Sequence, residues 1–492
     1  MTDILNALGH MLTVGPLFWL LLGTVLGIVV GAVPGLTGAM LIALTIPLTG
    51  DMSAADAMIL LVSMYVGSIS GGLITATLLR MPGTPASIIT TLDGYPLTQQ
   101  GKPARALGLG INASFIGGLV SWVFLVTLAY PVSRLSMYLG PWDMFALVMV
   151  AMVMMASVSG NSLRMGMLSG MLGILARMPG ESQATGQIRW TGGWSALDDG
   201  LGLLPVLIGL FAVSQVLKES CQLNRPQETA TVDGPGLLLS RKDWRDQRKN
   251  MARSSLLGTW IGVLPGIGAN IGSVVAYSAA QSASKNPEEF GHGAEEGVVA
   301  SEAANNATVG GALIPLVAMG IPGSVIDAIL LGALMMHELT PGPGLFTDQP
   351  QLVWTIMLTM LLANIVMFAV MLIAVRWIAR LVNVPRYLLL PVIVVFCVVG
   401  AYALKFRMFH VAVMLAFGVL GFGLERLGVP LAPFVIGFVL APVAEKELGQ
   451  GLQASGGSWL PLVTHPVALL FTLASLYLLV RPILRRRKAA SG

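Results

Sequence analysis

The sequence predicts an all-α polytopic membrane protein, and three observations carry that reading. Of its 492 residues 55% are hydrophobic and only 11% charged, against about 25% charged in soluble domains. The apolar stretches, such as 144–156 and 352–375, run far longer than the alternating segments of about ten residues expected of barrel strands. Helix-breaking Pro-Gly pairs sit inside apolar sequence, and they recur. Together these predict about 10–12 transmembrane helices in two inverted repeats with discontinuous, re-entrant helices.

Taken in order, apolar segments fall at 15–33, 36–48, 55–79, 104–132, 135–158, 163–177 and 200–217. A second set follows at 254–264, 268–284, 303–319, 325–336, 351–377, 387–404, 408–424, 430–442 and 460–480. A crossing needs about 20 residues, so 36–48, 325–336 and 430–442 are expected as half-helices or re-entrant arms. The organisation is read as a first membrane repeat over 1–220, a cytoplasmic linker loop over 221–253, a second repeat over 254–480 and a basic cytoplasmic tail over 481–492. Arg241–Arg253 carries six basic and two acidic residues, and the C-terminus adds Arg481, Arg485, Arg486, Arg487 and Lys488. Positive charge flanking spans marks the cytoplasmic side, so the net charge of +4 does not point to nucleic acid. Met1–Met11 lacks Lys and Arg, so no cleavable leader is expected.

Four knots define the repeat. The first copy has Gly31-Ala-Val-Pro-Gly35 and Arg80-Met-Pro-Gly-Thr84; the second has Gly262-Val-Leu-Pro-Gly-Ile-Gly-Ala-Asn270 and Gly320-Ile-Pro-Gly-Ser324. Pro34 and Pro265 are 231 residues apart and Pro82 and Pro322 are 240 apart, so the second copy holds extra residues between its knots, assigned to the polar stretch Ser284–Glu302. Gly71, Ile74, Pro82, Gly83 and Thr84 then align with Gly311, Ile314, Pro322, Gly323 and Ser324 without a gap. Lys102 and Arg105 follow the first Pro-Gly-Thr knot, whereas 320–350 contains no Lys or Arg but holds Asp327, Glu338 and Asp348. One loop reads cytoplasmic and the other external, which makes the copies inverted.

Backbone freed at Pro-Gly within a membrane must be satisfied by protein, water or solute. A Pro-Gly turn followed by an apolar run also creates a helix N-terminus, whose free N–H groups and partial positive charge attract a carboxylate. The residues expected to bind substrate are Pro34, Gly35, Thr37, Gly83, Thr84, Pro265, Gly266, Gly268, Asn270, Asn305, Asn306, Gly323 and Ser324. Close packing through small residues is the competing structural reading. In Ser301-Glu-Ala-Ala-Asn-Asn-Ala-Thr308, Glu302, Asn305 and Asn306 share one helix face and Ser301, Asn305 and Thr308 a neighbouring one. Such oxygen-rich side chains suit a hard cation, so Ser68, Ser301, Asn305 and Thr308 are the expected ion-binding set. An interhelical clamp is the alternative for the asparagines, and exposure at the membrane surface for Glu302. Asp93 reads as a turn residue, Lys102 and Arg105 as topology signals.

His10, His292, His337, His410 and His465 have no ligand spacing, so no metal centre is expected. The two cysteines, Cys221 and Cys397, form no disulfide framework. No serine has a histidine in a plausible frame and no phosphate-binding loop is present, so no catalytic residues or cofactor are expected; a single-component organic-anion carrier or a passive channel is the alternative class, ahead of an intramembrane hydrolase.

The combination of Gly31-Ala-Val-Pro-Gly-Leu36, Met81-Pro-Gly-Thr-Pro-Ala86, Leu92-Asp-Gly-Tyr-Pro96 with Gly101-Lys102, Leu264-Pro-Gly-Ile-Gly268, Phe290-Gly-His-Gly-Ala-Glu-Glu-Gly297, Ser301–Ala307 and Met319-Gly-Ile-Pro-Gly-Ser324 resembles the large membrane subunit of the bacterial tripartite tricarboxylate transporters. The resemblance implies secondary active uptake of a di- or tricarboxylate such as citrate, or a related organic anion, across the bacterial inner membrane by symport. It further implies coupling to a cation gradient, Na⁺ ahead of H⁺, together with a small four-helix membrane subunit and a periplasmic solute-binding protein as partners.

Overall fold

The computed structural model describes residues 2–33, 35–82, 84–158, 162–221, 232, 234, 236–264, 268–381 and 386–490. The chain is an all-α polytopic membrane protein. Its first half comprises α1 (Thr2–Met11), α2 (Val14–Gly31), α3 (Gly38–Thr45), α4 (Ala54–Leu79), a 3₁₀ turn (Pro85–Ile88), α5 (Thr91–Gln99), α6 (Pro103–Ser136), α7 (Pro141–Val158) and α8 (Leu163–Arg177). A two-residue antiparallel ladder, β1 (Gly180–Glu181) with β2 (Ile188–Arg189), precedes α9 (Leu203–Ile208), which continues through a π-turn into α10 (Ser214–Ser220). The second half comprises α11 (Arg241–Val263), α12 (Gly268–Ala283), α13 (Glu295–Met319), α14 (Val325–Met336), α15 (Pro343–Asp348), α16 (Pro350–Leu381), α17 (Arg386–Ala403), α18 (Met408–Arg426), α19 (Leu431–Ala454), α20 (Pro461–Thr464) and α21 (Pro466–Ala490).

Among the described residues six helices are long and apolar enough to cross a membrane, and shorter apolar helices include Gly38–Thr49 and Val325–Met336. These two match the short arms expected from sequence. The third expected arm, 430–442, does not stand alone: it is the first half of the 24-residue α19, which carries Pro442 inside it. The helix runs on past the proline, and there the Glu445 carboxylate accepts from Ser182 Oγ (2.6 Å) and Arg189 Nη2 (2.7 Å). The basic run 241–253 is likewise helical and joins the apolar 254–263 as α11. A reciprocal cap starts that helix, with Ser240 Oγ accepting from Asp243 N and the Asp243 carboxylate accepting from Ser240 N.

The core is built on α4 and α13. α4 is buried along nearly its whole length, and so is α13 from Gly297 to Ala318. Each is gripped by the preceding long helix of its own half. Gly27 and Gly31 of α2 lie against Met64 and Ser68 of α4 so closely that a Cβ at either would strike backbone; Gly258 and Gly262 of α11 lie in the same way against Ala304 and Thr308 of α13. The reverse contacts also correspond, Gly71 against Ile28 and Gly311 against Thr259. Every one of these pairs obeys the 231- and 240-residue offsets read from the knots. The ends agree too. Arg80 (φ 54°) and Gly320 (φ 70°) close α4 and α13 in the left-handed conformation. There Met81 N donates to Thr75 O (3.2 Å) and Ile321 N to Pro315 O (3.2 Å).

Helix pairs in lipid gain from close backbone approach through small residues, because the surrounding tails are as apolar as leucine. Gly258→Leu and Gly27→Leu are therefore expected to destabilise the fold by about 1–3 kcal/mol or more through overpacking, whereas Gly9→Leu, where no atom lies within 4 Å of an added Cβ, is expected to be neutral. Membrane abundance and thermal stability of detergent-extracted protein measure the difference.

Candidate functional site

Each Pro-Gly knot ends one helix and starts another. α2 stops at Gly31 and α3 begins at Gly38, with Thr37 Oγ1 accepting from Met40 N (3.2 Å) as its cap. α13 stops at Met319 and α14 begins at Val325, with Ser324 Oγ accepting from Asp327 N (3.3 Å). α4 stops at Leu79; Thr84 then precedes the 3₁₀ turn, its hydroxyl 2.8 Å from Ser87 Oγ. α11 stops at Val263, and Gly268 and Asn270 lie in the first turn of α12. Pro34, Gly83, Pro265 and Gly266, expected at the turns themselves, lie outside the described residues.

The knots meet in pairs drawn from opposite halves. A Cβ on Gly38, at the start of α3, would meet both Ser68 of α4 and Ile326 of α14, and Tyr65 Oη of α4 lies 3.2 Å from Ser324 Oγ. On the other side the 3₁₀ turn after Thr84 packs against α12 and α13. Gly35 has φ 88°, and the Glu219 carboxylate of α10 lies against its Cα, so both backbone strain and space reserve this position for glycine. Gly323 is closely packed by Ala312 and the Gly262 carbonyl.

The Ser301–Thr308 segment is more deeply placed than the sequence suggests. Glu302 is fully buried, not exposed at a membrane surface. Its Oε1 accepts from Thr90 Oγ1 (2.5 Å) and its Oε2 from Ser114 Oγ (3.3 Å), while Ser301 Oγ lies 3.0 Å from Thr90 Oγ1. Burial follows from packing of α13 on both α6 and the segment between the 3₁₀ turn and α5, which covers the face that periodicity alone leaves open. Asn306 is a clamp: Ser70 Oγ of α4 donates to its Oδ1 (2.7 Å) and its Nδ2 donates to Glu302 O (3.2 Å). Asn305 is different. It is fully buried with its amide nitrogen facing the Glu302 carboxylate, and its Oδ1 has no hydrogen-bond partner.

Of the expected ion-binding set, Ser301 and Asn305 thus gather around Glu302. Thr308 Oγ1 donates to Asn305 O (2.6 Å) and Ser68 Oγ to Tyr65 O (3.0 Å). Among the described residues no hydrogen bond joins Ser68 to the other three. No group of three or more His, Cys, Asp or Glu that would hold a transition metal occurs among the described residues.

Three further charges differ from their sequence reading. Asp93 is not a turn residue but is buried in α5, where its Oδ1 accepts from the N–H groups of Gly291 (2.8 Å), Gly293 (2.9 Å) and Ala294 (2.9 Å). Gly291 and Gly293 have φ of 87° and 108°, and this backbone nest holds the loop that leads into α13. Arg105 is more than a topology signal: its guanidinium takes both oxygens of Glu295 (2.9 and 2.7 Å) and Asp243 Oδ1 (2.7 Å), joining α6, α11 and α13. Asp327 belongs to no exposed loop; it is fully buried in the first turn of α14. Sequence reasoning also passed over Tyr65, Ser70, Thr90 and Ser114. Asp327 was recoverable, since Ser324-x-x-Asp327 has the spacing of an N-terminal cap.

A cavity of about 570 Å³ lies near the Asp93 nest, lined among others by Lys102, Lys285, Glu289, His292 and Glu295. Its lining mixes both signs of charge and does not include the knots.

Asp93→Ala strands three N–H groups, so a loss of about 1.5–3 kcal/mol or more is expected from hydrogen bonds to a charged acceptor; Asp93→Asn, which keeps an acceptor oxygen, should lose less. Thermal unfolding in detergent ranks the two, and parental stability of the alanine variant would mean that the loop is held by other contacts.

A model of the tripartite tricarboxylate transporter TctA family matches residues 17–436. An uncharacterized 52.8 kDa protein in the TAR-I ttuC' 3' region of Agrobacterium vitis is 33% identical over 450 residues, covering 91% of this chain and 89% of its own length. An uncharacterized protein in the TAR-II ttuC' 3' region of the same organism is 38% identical over 211 residues, 43% of this chain and 87% of its own length. No solved structure matches the chain.

Proposed function

We propose that this chain, which belongs to the tripartite tricarboxylate transporter TctA family, carries a di- or tricarboxylate across the bacterial inner membrane as a secondary active symporter. The family supplies the coarse part: a multi-pass transport protein that is the large subunit of a tripartite assembly. The finer reading is that the substrate carboxylates lie between the paired knots, that uptake is coupled to a cation gradient with Na⁺ ahead of H⁺, and that a small four-helix subunit and a periplasmic solute-binding protein complete the system.

The observation that carries this reading is the meeting of interrupted helices from opposite halves on two buried helices. The N-termini of α3 and α14 come together beside Tyr65, Ser68 and Ser324, and they offer backbone N–H groups and partial positive charge without an arginine. Anion binding through dipoles and hydroxyls is weaker than through a bidentate guanidinium, which suits a site that must release its cargo and a system in which a separate protein captures dilute solute.

Inversion of the two halves is supported by direction. Thr98 of α5 donates to Thr77 O near the end of α4 (2.9 Å), and Asp93 of the same α5 binds the loop at the start of α13. α4 therefore ends where its counterpart α13 begins. Arg105 and Asp243 tie the basic start of α11 to the same end, which the positive-inside rule assigns to the cytoplasm.

Two measurements test the proposal. In a background with the exposed Cys221 replaced by serine, Glu338→Cys is expected to react with a membrane-impermeant thiol reagent in intact cells and Lys102→Cys is not; reaction of both from outside rejects the inverted arrangement. Proteoliposomes holding this chain with its partner subunits are expected to accumulate a labelled tricarboxylate above the external concentration only under an imposed cation gradient. Equilibration without accumulation would make the protein a passive pore.

A further inference from the structure

We propose that Glu302, Thr90, Ser301, Ser114 and Asn305 form one binding site for a dehydrated Na⁺ ion, built across the two halves of the chain. The inference deepens the cation-coupled reading above and rests on it only for its role in transport.

The donor set is what a hard alkali cation requires: a carboxylate, three hydroxyls and an amide oxygen, with no nitrogen or sulfur ligand demanded. The groups are already clustered. Thr90 Oγ1 lies 2.5 Å from Glu302 Oε1 and 3.0 Å from Ser301 Oγ, and Ser114 Oγ lies 3.3 Å from Glu302 Oε2. They come from three places in the chain: Thr90 at the start of α5, Ser114 in α6, and Ser301, Glu302 and Asn305 in α13.

Two features separate this cluster from a purely structural clamp. Glu302 is fully buried, and among the described residues no Lys, Arg or His pairs with it. An ionised carboxylate in such a place is strongly disfavoured unless a cation or proton accompanies it. The Asn305 amide is fully buried with its nitrogen facing that carboxylate, and its Oδ1 has no hydrogen-bond partner. Its neighbour Asn306, by contrast, uses its side chain in both directions. A buried amide oxygen left without a partner is destabilising, and an ion at Glu302 gives Asn305 Oδ1 a ligand role. Thr90 spends its single proton on Glu302 Oε1 and Ser301 donates its own to Val298 O (3.1 Å). Their lone pairs therefore remain free to accept an ion.

A proton is the competing occupant, and the experiment separates the two. The purified full-length chain in detergent is heated in NaCl, KCl or choline chloride at equal ionic strength, without substrate or partners. Wild-type protein is expected to be stabilised by Na⁺ over K⁺ and choline in a saturable manner. Glu302→Gln is expected to abolish that response, and Asn305→Ala and Ser114→Ala to weaken apparent Na⁺ affinity by about tenfold. Glu302→Asp, which keeps the charge, is expected to retain a weakened response and guards against simple misfolding. Equal stability of the wild type in the three salts, or a full Na⁺ response in Glu302→Gln, overturns the site. If the salts are equivalent while stability depends on pH in wild type and not in Glu302→Gln, the occupant is a proton and the Na⁺ assignment falls. Because this readout needs no uptake, its failure leaves the carrier reading standing, and failure of uptake alone leaves the ion site standing.

Discussion

The constraint on which the rest of the structure depends is that a broken helix inside a bilayer exposes backbone N–H and C=O groups that lipid cannot satisfy. The chain breaks its helices at four Pro-Gly knots, and its architecture answers those breaks. Thr37 and Ser324 cap new helices with their own hydroxyls. Left-handed residues at Arg80 and Gly320 fold the last carbonyls of α4 and α13 back onto following N–H groups. Of the described knot residues, Gly35 and Gly323 lie against protein, because the two central helices are covered by both halves. Had α4 or α13 faced lipid, the polar turns at their ends would have had no solvent other than hydrocarbon.

This explains why so much of the fold is legible in the sequence and where legibility stops. Proline and glycine act locally, so the knots, the helix starts after them and the two short arms at 38–49 and 325–336 follow from spacing alone. The repeat is legible for a related reason: Gly27, Gly31, Gly258 and Gly262 are needed where backbones touch, and the same offsets that align the prolines align the contacts. Side chains that act across the halves are not legible. Nothing near Glu302 in sequence announces Thr90 or Ser114, some two hundred residues away, and an acidic residue just after Glu295-Glu296 reads most simply as surface. Asp93 in an Asp-Gly pair has every local mark of a turn, yet its partners are three N–H groups from the other half. The half-helix expected at 430–442 failed in the opposite sense, because Pro442 bends the local pattern without ending a helix whose later polar residues find tertiary partners.

The same cross-half contacts set the mechanics. α5 is held to α4 by Thr98 and to the entry of α13 by Asp93, and Arg105 adds α6 and α11 to that end of the molecule. At the other knots Tyr65 meets Ser324. The 3₁₀ turn and α5 thus touch α13, and α14 touches α4. Relative movement of the halves would have to break several charged hydrogen bonds at once, each worth about 1.5–3 kcal/mol. Motion of the interrupted segments and central helices together, against the outlying α7, α8, α19 and α21, breaks none of them. The contacts thus favour a rigid core that travels as one body over a core that opens along its own midline.

Electrostatics then gives a reason for placing an ion site and an anion site in such a core. A multiply charged carboxylate alone is costly to desolvate in a low-dielectric interior, and helix dipoles return only about 0.3–1 kcal/mol per terminus, up to about 2 in buried geometries. The described core offers no buried arginine or lysine beside the knots to make up the difference. It offers instead buried carboxylates, Glu302 and, in the first turn of α14, Asp327, which repel an anion unless neutralised. If a cation occupies Glu302, the sign of that local field is cancelled before the substrate arrives, and in a medium where interactions exceed their aqueous strength several-fold this alone makes anion binding depend on the ion. Coupling then requires no contact between ion and substrate; it requires only that one rigid core hold both charges while neither side of the membrane can reach them.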